Sequence, residues 1–120
     1  MKFNIIDKNT DSEINVDKKN ICFLGSSKED IVSFPHDARR ESGYQLGLLQ
    51  AGEEPDDWKP FSSIGSGVKE IRIHNDNEYR IMYVTKFEEC IYVLHALVKK
   101  QQKTRKADID LAKQRYKDIT

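Results

Sequence analysis

The sequence predicts an α+β domain with the element order β-α-α-β-β-β-α, a helical hairpin and a C-terminal helix on a mainly antiparallel sheet. Three observations carry that expectation. Ile91-Tyr92-Val93-Leu94-His95-Ala96-Leu97-Val98 is apolar almost throughout, as a strand covered on both faces should be, and is expected at the centre of the sheet. Residues 68–74 alternate, with Val68, Glu70, Arg72 and His74 set against Lys69, Ile71 and Ile73. A second run, Tyr79 to Phe87, follows across Asn75-Asp76-Asn77, so the two read as a hairpin. Apolar residues at helical spacing lie on either side of this strand-rich block.

Taken in order, residues 1–19 are polar and charge-rich apart from Phe3, Ile5 and Ile6, and read as an N-terminal extension that could supply an edge strand. The domain proper is expected over 20–120. Asn20-Ile21-Cys22-Phe23-Leu24, closed by Gly25, reads as a short buried strand. Ser26 with Glu29, and Ser27 with Asp30, form overlapping capping boxes ahead of Ile31, Val32 and Phe34, which predicts a short helix. Pro35 ends that helix and can open the next, whose apolar face is expected from Ala38, Tyr44, Leu46, Leu48 and Leu49, with Gly52 as a left-handed cap. Gly43 and Gly47 weaken this helix unless they permit close packing. The acidic stretch Glu53-Glu54-Pro55-Asp56-Asp57 reads as a loop. After the sheet, Ile109, Ala112, Tyr116 and Ile119 define an amphipathic helix with Thr104 as its cap and Lys113, Arg115 and Lys117 facing away.

At 120 residues, 38% hydrophobic and 33% charged, the chain fits one solvated domain with a modest core and has no room for a second catalytic unit. No stretch approaches the roughly 18 apolar residues of a membrane span, and the N-terminal apolar run is too short for a signal peptide, so a cytoplasmic protein with no membrane partner is expected. Cys22 and Cys90 fall in separate expected strands and read as two reduced, largely buried thiols. The formal net charge is zero, yet residues 1–57 hold 7 Lys/Arg against 12 Asp/Glu while residues 58–120 hold 13 against 8. A polyanion would meet the second half.

Several strings match one known family. Phe23-Leu24-Gly25-Ser26-Ser27, Asp56-Asp57-Trp58-Lys59-Pro60, Gly67-Val68-Lys69-Glu70-Ile71-Arg72-Ile73, Tyr79-Arg80-Ile81-Met82-Tyr83-Val84, Ile91-Tyr92-Val93-Leu94-His95-Ala96 and Lys99-Lys100-Gln101-Gln102-Lys103-Thr104 resemble the phage-related branch of the RelE/HigB toxin superfamily. The resemblance runs from about residue 20 to the C-terminus and rests on the order and spacing of the strings together. It implies a RelE-like fold and the toxin of a type II toxin–antitoxin pair. Such a toxin is a metal-independent endoribonuclease, or mRNA interferase, that needs no cofactor and cuts mRNA in the ribosomal A site. A small helix-turn-helix antitoxin of the HigA type neutralises it. Arg105 stands where the family often has proline, and residues 1–19 exceed its usual start.

Metal-free RNA cleavage uses the 2′-hydroxyl as nucleophile, so the protein must position the phosphate, move two protons and stabilise the charge of the phosphorane. Arg72 and Arg80, on paired strands, are the expected phosphate clamps, since a guanidinium can hold two phosphate oxygens. Arg80 occupies the family's Tyr-Arg position, which the resemblance associates with transition-state stabilisation. The bland alternative is two arginines on a half-exposed sheet. Lys99, Lys100, Lys103, Arg105 and Lys106 place five cations in eight residues. Such runs are usually solvated loops, but at the end of a buried strand this one could focus an RNA backbone. Lys99 or Lys100 is expected in proton transfer or phosphate stabilisation, and Lys59, His74, Lys103, Arg105 and Lys106 in RNA binding.

His95 is a candidate acid or base, although a lone mid-strand histidine is more often a hydrogen-bonded core residue. Tyr79, Tyr83 and Tyr92 read as strand packing, and Trp58 as core or rim. Gly65-Ser66-Gly67 lacks the remainder of any phosphate-loop motif, and no spacing suggests a metal site. Two other readings share the fold: a catalytically inactive RNA- or ribosome-binding module, and a repressor subunit held by its antitoxin.

Overall fold

The computed structural model describes residues 18–120, so the apolar knot near the N-terminus and most of the expected extension, with its edge strand, lie outside the described residues. The chain forms β1 (Ile21–Phe23), α1 (Ser27–Val32), α2 (His36–Gln50), β2 (Trp58–Pro60), β3 (Val68–Asn75), β4 (Asn77–Val84), β5 (Ile91–Lys99) and α3 (Lys106–Asp118). The class is α+β, as expected. One strand more than expected is present: Trp58–Pro60 pairs antiparallel with β3 at the sheet edge, where a proline deprives no neighbour of a hydrogen bond.

The five strands run in the order β1-β5-β4-β3-β2, with β1 parallel to β5 and the other pairs antiparallel. This corrects the expectation for Ile91–Val98, because the central strand is β4. Among the described residues β1 covers β5 only along Ile91, Tyr92 and Val93, and the rest of β5 has no strand on that side. Its apolar character comes from coverage of both faces rather than central position. Ile91, Val93 and Ala96 lie in the core under the helical hairpin with Phe34, Leu46, Leu49, Ile71, Ile81 and Tyr83. Leu94 and Leu97 lie in a second core with Val68, Met82, Val84 and Ala112 of α3.

A break in register decides which face the end of β5 presents. Tyr83 pairs with Val93 but Met82 pairs with His95, so Leu94 is the extra residue of a bulge. Strict alternation would put His95 beside Ile91 and Val93 under the hairpin. The bulge turns His95, Leu97 and Lys99 to the face of α3 instead.

Local chemistry departs from expectation at several helix ends. Ser26 occupies the N-cap of α1 but makes no capping bond, its hydroxyl donating instead to Asp30 Oδ2 at 2.9 Å. Arg105, not Thr104, precedes α3. The end of α2 follows the sequence closely: Gly52 adopts φ +81°, its N–H reaches Leu49 O, and Glu53 N–H reaches Leu48 O, the paired bonds of a Schellman stop. The buried stripe of α2 is Ala38, Ser42, Gln45, Leu46 and Leu49, while Tyr44 is exposed. Gly43 and Gly47 face open space, so close packing does not explain them.

Cys90 is buried but Cys22 is exposed, against the expectation of two buried thiols. The parallel pairing of Ile21 with Ile91 brings them together, and burial with a hydrogen bond to Cys22 pushes the Cys90 thiol up to about 11. Among the described residues no helix is long and apolar enough to cross a membrane.

Candidate functional site

Residues directly opposed on antiparallel strands point to the same face of the sheet. Arg72 opposes Arg80, His74 opposes Glu78, Glu78 opposes Lys99 and Lys59 opposes Glu70. Lys59, Glu70, Arg72, His74, Glu78, Arg80 and Lys99 therefore share the face on which α3 packs. α3 covers the part formed by Val68, Met82, Val84 and Leu94, and the charged part lies beyond it.

At the centre, the Arg80 side chain is 5% exposed and that of Glu70 10%, whereas Arg72 retains 25%. Two guanidinium groups facing each other would repel, and Glu70 lies between them: its Oε1 is 3.8 Å from Arg80 Nε and 4.0 Å from Arg72 Nε. These contacts are loose. Among the described residues Glu70 Oε2, Arg72 Nε and Arg80 Nε are buried without a hydrogen-bond partner, an unusual concentration of unsatisfied charged groups. Burial pushes the Glu70 carboxyl above the usual carboxylate range, against the pull of Arg80, Arg72, Lys99 and Lys59.

An outer ring of charge surrounds this centre. Arg80 Nη1 donates to Glu78 Oε1 and to Tyr79 O, both at 3.1 Å, and Arg72 Nη1 lies 4.0 Å from Asp57 Oδ1. His74 bridges the two acids, donating from Nε2 to Asp57 Oδ2 and from Nδ1 to Glu78 Oε1, each at 2.7 Å. Those hydrogen bonds raise the histidine and hold Asp57 and Glu78 low, so the two carboxylates favour the imidazolium form. The acidic loop is itself fixed from α2. Gln45 accepts from Asp56 N–H at 2.9 Å and donates to Asp56 Oδ2 at 2.8 Å, and Arg72 N–H donates to Asp57 O at 2.8 Å.

The cationic run at the end of β5 divides in two. Lys99, Lys100, Lys103 and Arg105 line a cavity of 370 Å³ against Leu97 and Asp108, and Lys99 joins it to the arginine pair. Arg105 donates to Asp108 Oδ2 at 3.0 Å from its rim. Lys106 lies outside this lining, bonded to Asp110 Oδ2 at 2.7 Å on the exposed face of α3. Trp58 opposes Ile71 on the other face of the sheet, with Lys69 Nζ 4.6 Å from its ring centroid.

His95 occupies a different environment. It is 5% exposed, with Nε2 donating to Asp108 Oδ1 at 2.7 Å and Nδ1 accepting from Arg115 Nη1 at 3.3 Å. Arg115 also reaches Leu94 O at 2.9 Å, so it folds inward rather than facing away as the helical pattern suggested. With both ring nitrogens engaged, His95 fastens α3 to the bulge of β5.

Of the sequence candidates, the fold thus brings Lys59, Arg72, His74, Arg80 and Lys99 onto one surface, with Lys100, Lys103 and Arg105 adjoining. It leaves Lys106 and His95 apart. Sequence reasoning missed Glu70, Asp57 and Glu78. The signal for Glu70 was present: a carboxylate two positions before Arg72 on an alternating strand must share the arginine's face. Five cationic groups against three acids leave the surface positive, with two guanidinium groups side by side at its centre.

Residues 29–117 match the model of the family described as phage derived protein Gp49-like (DUF891), a span that contains every site residue named above. No curated protein matches the chain.

Proposed function

The chain belongs to the phage-derived Gp49-like family, and on that premise we propose that it is the toxin of a type II toxin–antitoxin pair, a RelE/HigB-type endoribonuclease that stops translation by cutting mRNA. The observation that carries this reading is the direct opposition of Arg72 and Arg80, flanked by Lys59 and Lys99 on the same face. Such a pair suits a phosphodiester whose charge grows as the 2′-oxygen attacks phosphorus. Arg72, the more exposed, grips the ground-state phosphate. Arg80, held rigidly beneath, meets the charge of the phosphorane. The 2′-hydroxyl gives up its proton to solvent as it attacks, and Lys99 protonates the departing 5′-oxygen, leaving a 2′,3′-cyclic phosphate and a 5′-hydroxyl. Lys59 on one side and Lys100, Lys103 and Arg105 on the other guide the strand.

On this reading the substrate is mRNA in the ribosomal A site, the compartment is the cytoplasm, and the inhibitor is a small helix-turn-helix antitoxin of the HigA type. Primer extension on cellular mRNA after induction tests the activity. New 5′ ends within translated codons, lost in Arg72→Ala and Lys99→Ala, are expected. Translation that halts with no new ends would replace the nuclease with a nonenzymatic ribosome-binding module, a role the ion pairs of Arg80 with Glu78 and Arg72 with Asp57 would equally suit.

A further inference from the structure

We propose that Glu70 is a proton-loading group: it takes up a proton from solvent when a phosphodiester of RNA displaces it from Arg72 and Arg80, and holds that proton beside the bound phosphate. The inference rests on the reading of this surface as an RNA site and deepens it. Its ground is geometric. Glu70 is buried between two guanidinium groups that it contacts only at 3.8 and 4.0 Å, and its Oε2 has no partner among the described residues. The groups that face it are Lys59 from β2, Arg72 from its own strand, Arg80 from β4 and Lys99 from β5. Asp57, His74 and Glu78 form the outer ring. Every one of the facing groups is a cation, and every one is also what an incoming phosphate would seek.

A phosphate drawn to Arg72 and Arg80 removes the compensation that keeps Glu70 ionised and adds a negative charge within the same buried space. Both effects disfavour the carboxylate. Burial already raises Glu70, and displacement by the anion raises it further. Asp57 and Glu78 respond differently. They are half-exposed, held low by His74, and remain ionised when displaced into water. Binding of the anion and of the proton are therefore linked, and each strengthens the other. The protonated carboxyl becomes a hydrogen-bond donor between the two guanidinium groups, beside the bound phosphate.

The probe is a short RNA with 2′-O-methyl groups, which cannot be cleaved, titrated at up to millimolar concentration into the full chain from pH 5.5 to 8 by calorimetry in buffers of different ionisation heat. A one-unit displacement of the Glu70 titration within this range loads about half a proton and weakens affinity about threefold per pH unit as pH rises. Glu70→Gln should bind with no proton uptake and a flat profile. His74→Asn should keep the slope, because the linked proton is carried by Glu70 and not by the imidazole. Binding by the wild type with no proton uptake, or uptake undiminished in Glu70→Gln, overturns the proposal and leaves the RNA site standing. No saturable binding overturns the site and the proposal together. Should Glu70→Gln fail to fold, the carboxyl carbon signal of Glu70 in the wild type decides: its midpoint must move to higher pH in the complex, and an unmoved midpoint refutes the idea.

Discussion

Replacing Arg80 by methionine keeps most of the side chain's volume and deletes its charge, which isolates what the guanidinium does for the buried centre. Glu70 then loses the nearer of its two cations and stays enclosed. Removing one partner of a buried pair costs about 3–5 kcal/mol, and the separation of 3.8 Å together with the remaining Arg72 places this case near the lower end, about 3 kcal/mol. For a chain of this size that corresponds to a fall in Tm of about 12 °C. The cost must depend on pH. A carboxyl whose folded value is raised contributes stability that is complete below its unfolded value and is lost as pH rises through the folded one. Without Arg80 the folded value rises further, so the loss extends to higher pH. The variant should be about 3 kcal/mol less stable at pH 8 and distinctly less destabilised at pH 5, because protonation of Glu70 removes the unpaired buried charge. Urea denaturation followed by Trp58 fluorescence and far-UV circular dichroism measures this, and adding Glu70→Gln to Arg80→Met should restore stability at pH 8. Equal losses at both pH values, or a double variant no more stable than Arg80→Met, would refute the account of the site's centre.

Arg72→Ala, at a side chain that keeps 25% exposure, should cost only about 1 kcal/mol in stability but lower cleavage by about 10²-fold; a folded variant that still generates full primer-extension signals would remove Arg72 from the site. At Asp108, burial raises the carboxyl, but the hydrogen bonds from Arg105 and His95 outweigh it and leave the group low. Its contribution is therefore present above the unfolded value of 3.8 and disappears as pH falls through the folded one. Asp108→Asn should lose about 2 kcal/mol at pH 7 and show a shallower acid transition than the wild type; identical acid transitions by circular dichroism would contradict this. Gly25→Ala should cost about 1–2 kcal/mol, since φ there is +53° and the new Cβ would come within 2.4 Å of the Arg115 guanidinium. A thermal melt that matches the wild type would show that Arg115 yields freely.

Local pattern determined much of this protein. The alternation from Val68 to His74 fixed that Glu70, Arg72 and His74 share a face, because side chains on a strand have period two. The Asn75-Asp76-Asn77 turn fixed that Arg80 would return opposite Arg72, Asp76 adopting the positive φ of 64° that asparagine and aspartate tolerate. Gly52 marked the end of α2 for the same kind of local reason. What depended on partners was out of reach. The capping boxes at Ser26 and Ser27 failed because the Ser26 hydroxyl donates to Asp30 and that of Ser27 to Val93 O. Nothing in Ile91–Val98 announced a bulge at Leu94, yet that one extra residue turns His95 into the embrace of Asp108 and Arg115 and delivers Lys99 to the arginine pair. Asp57 enters the site because Gln45, bonded to Asp56 11 residues along the chain, ties the loop to α2 and Arg72 N–H holds the Asp57 carbonyl. Composition and periodicity act within a few residues of chain, so the face that Glu70 shares with Arg72 could be read from the sequence, whereas the charge compensation at Glu70 is set by four strands meeting in space and could not.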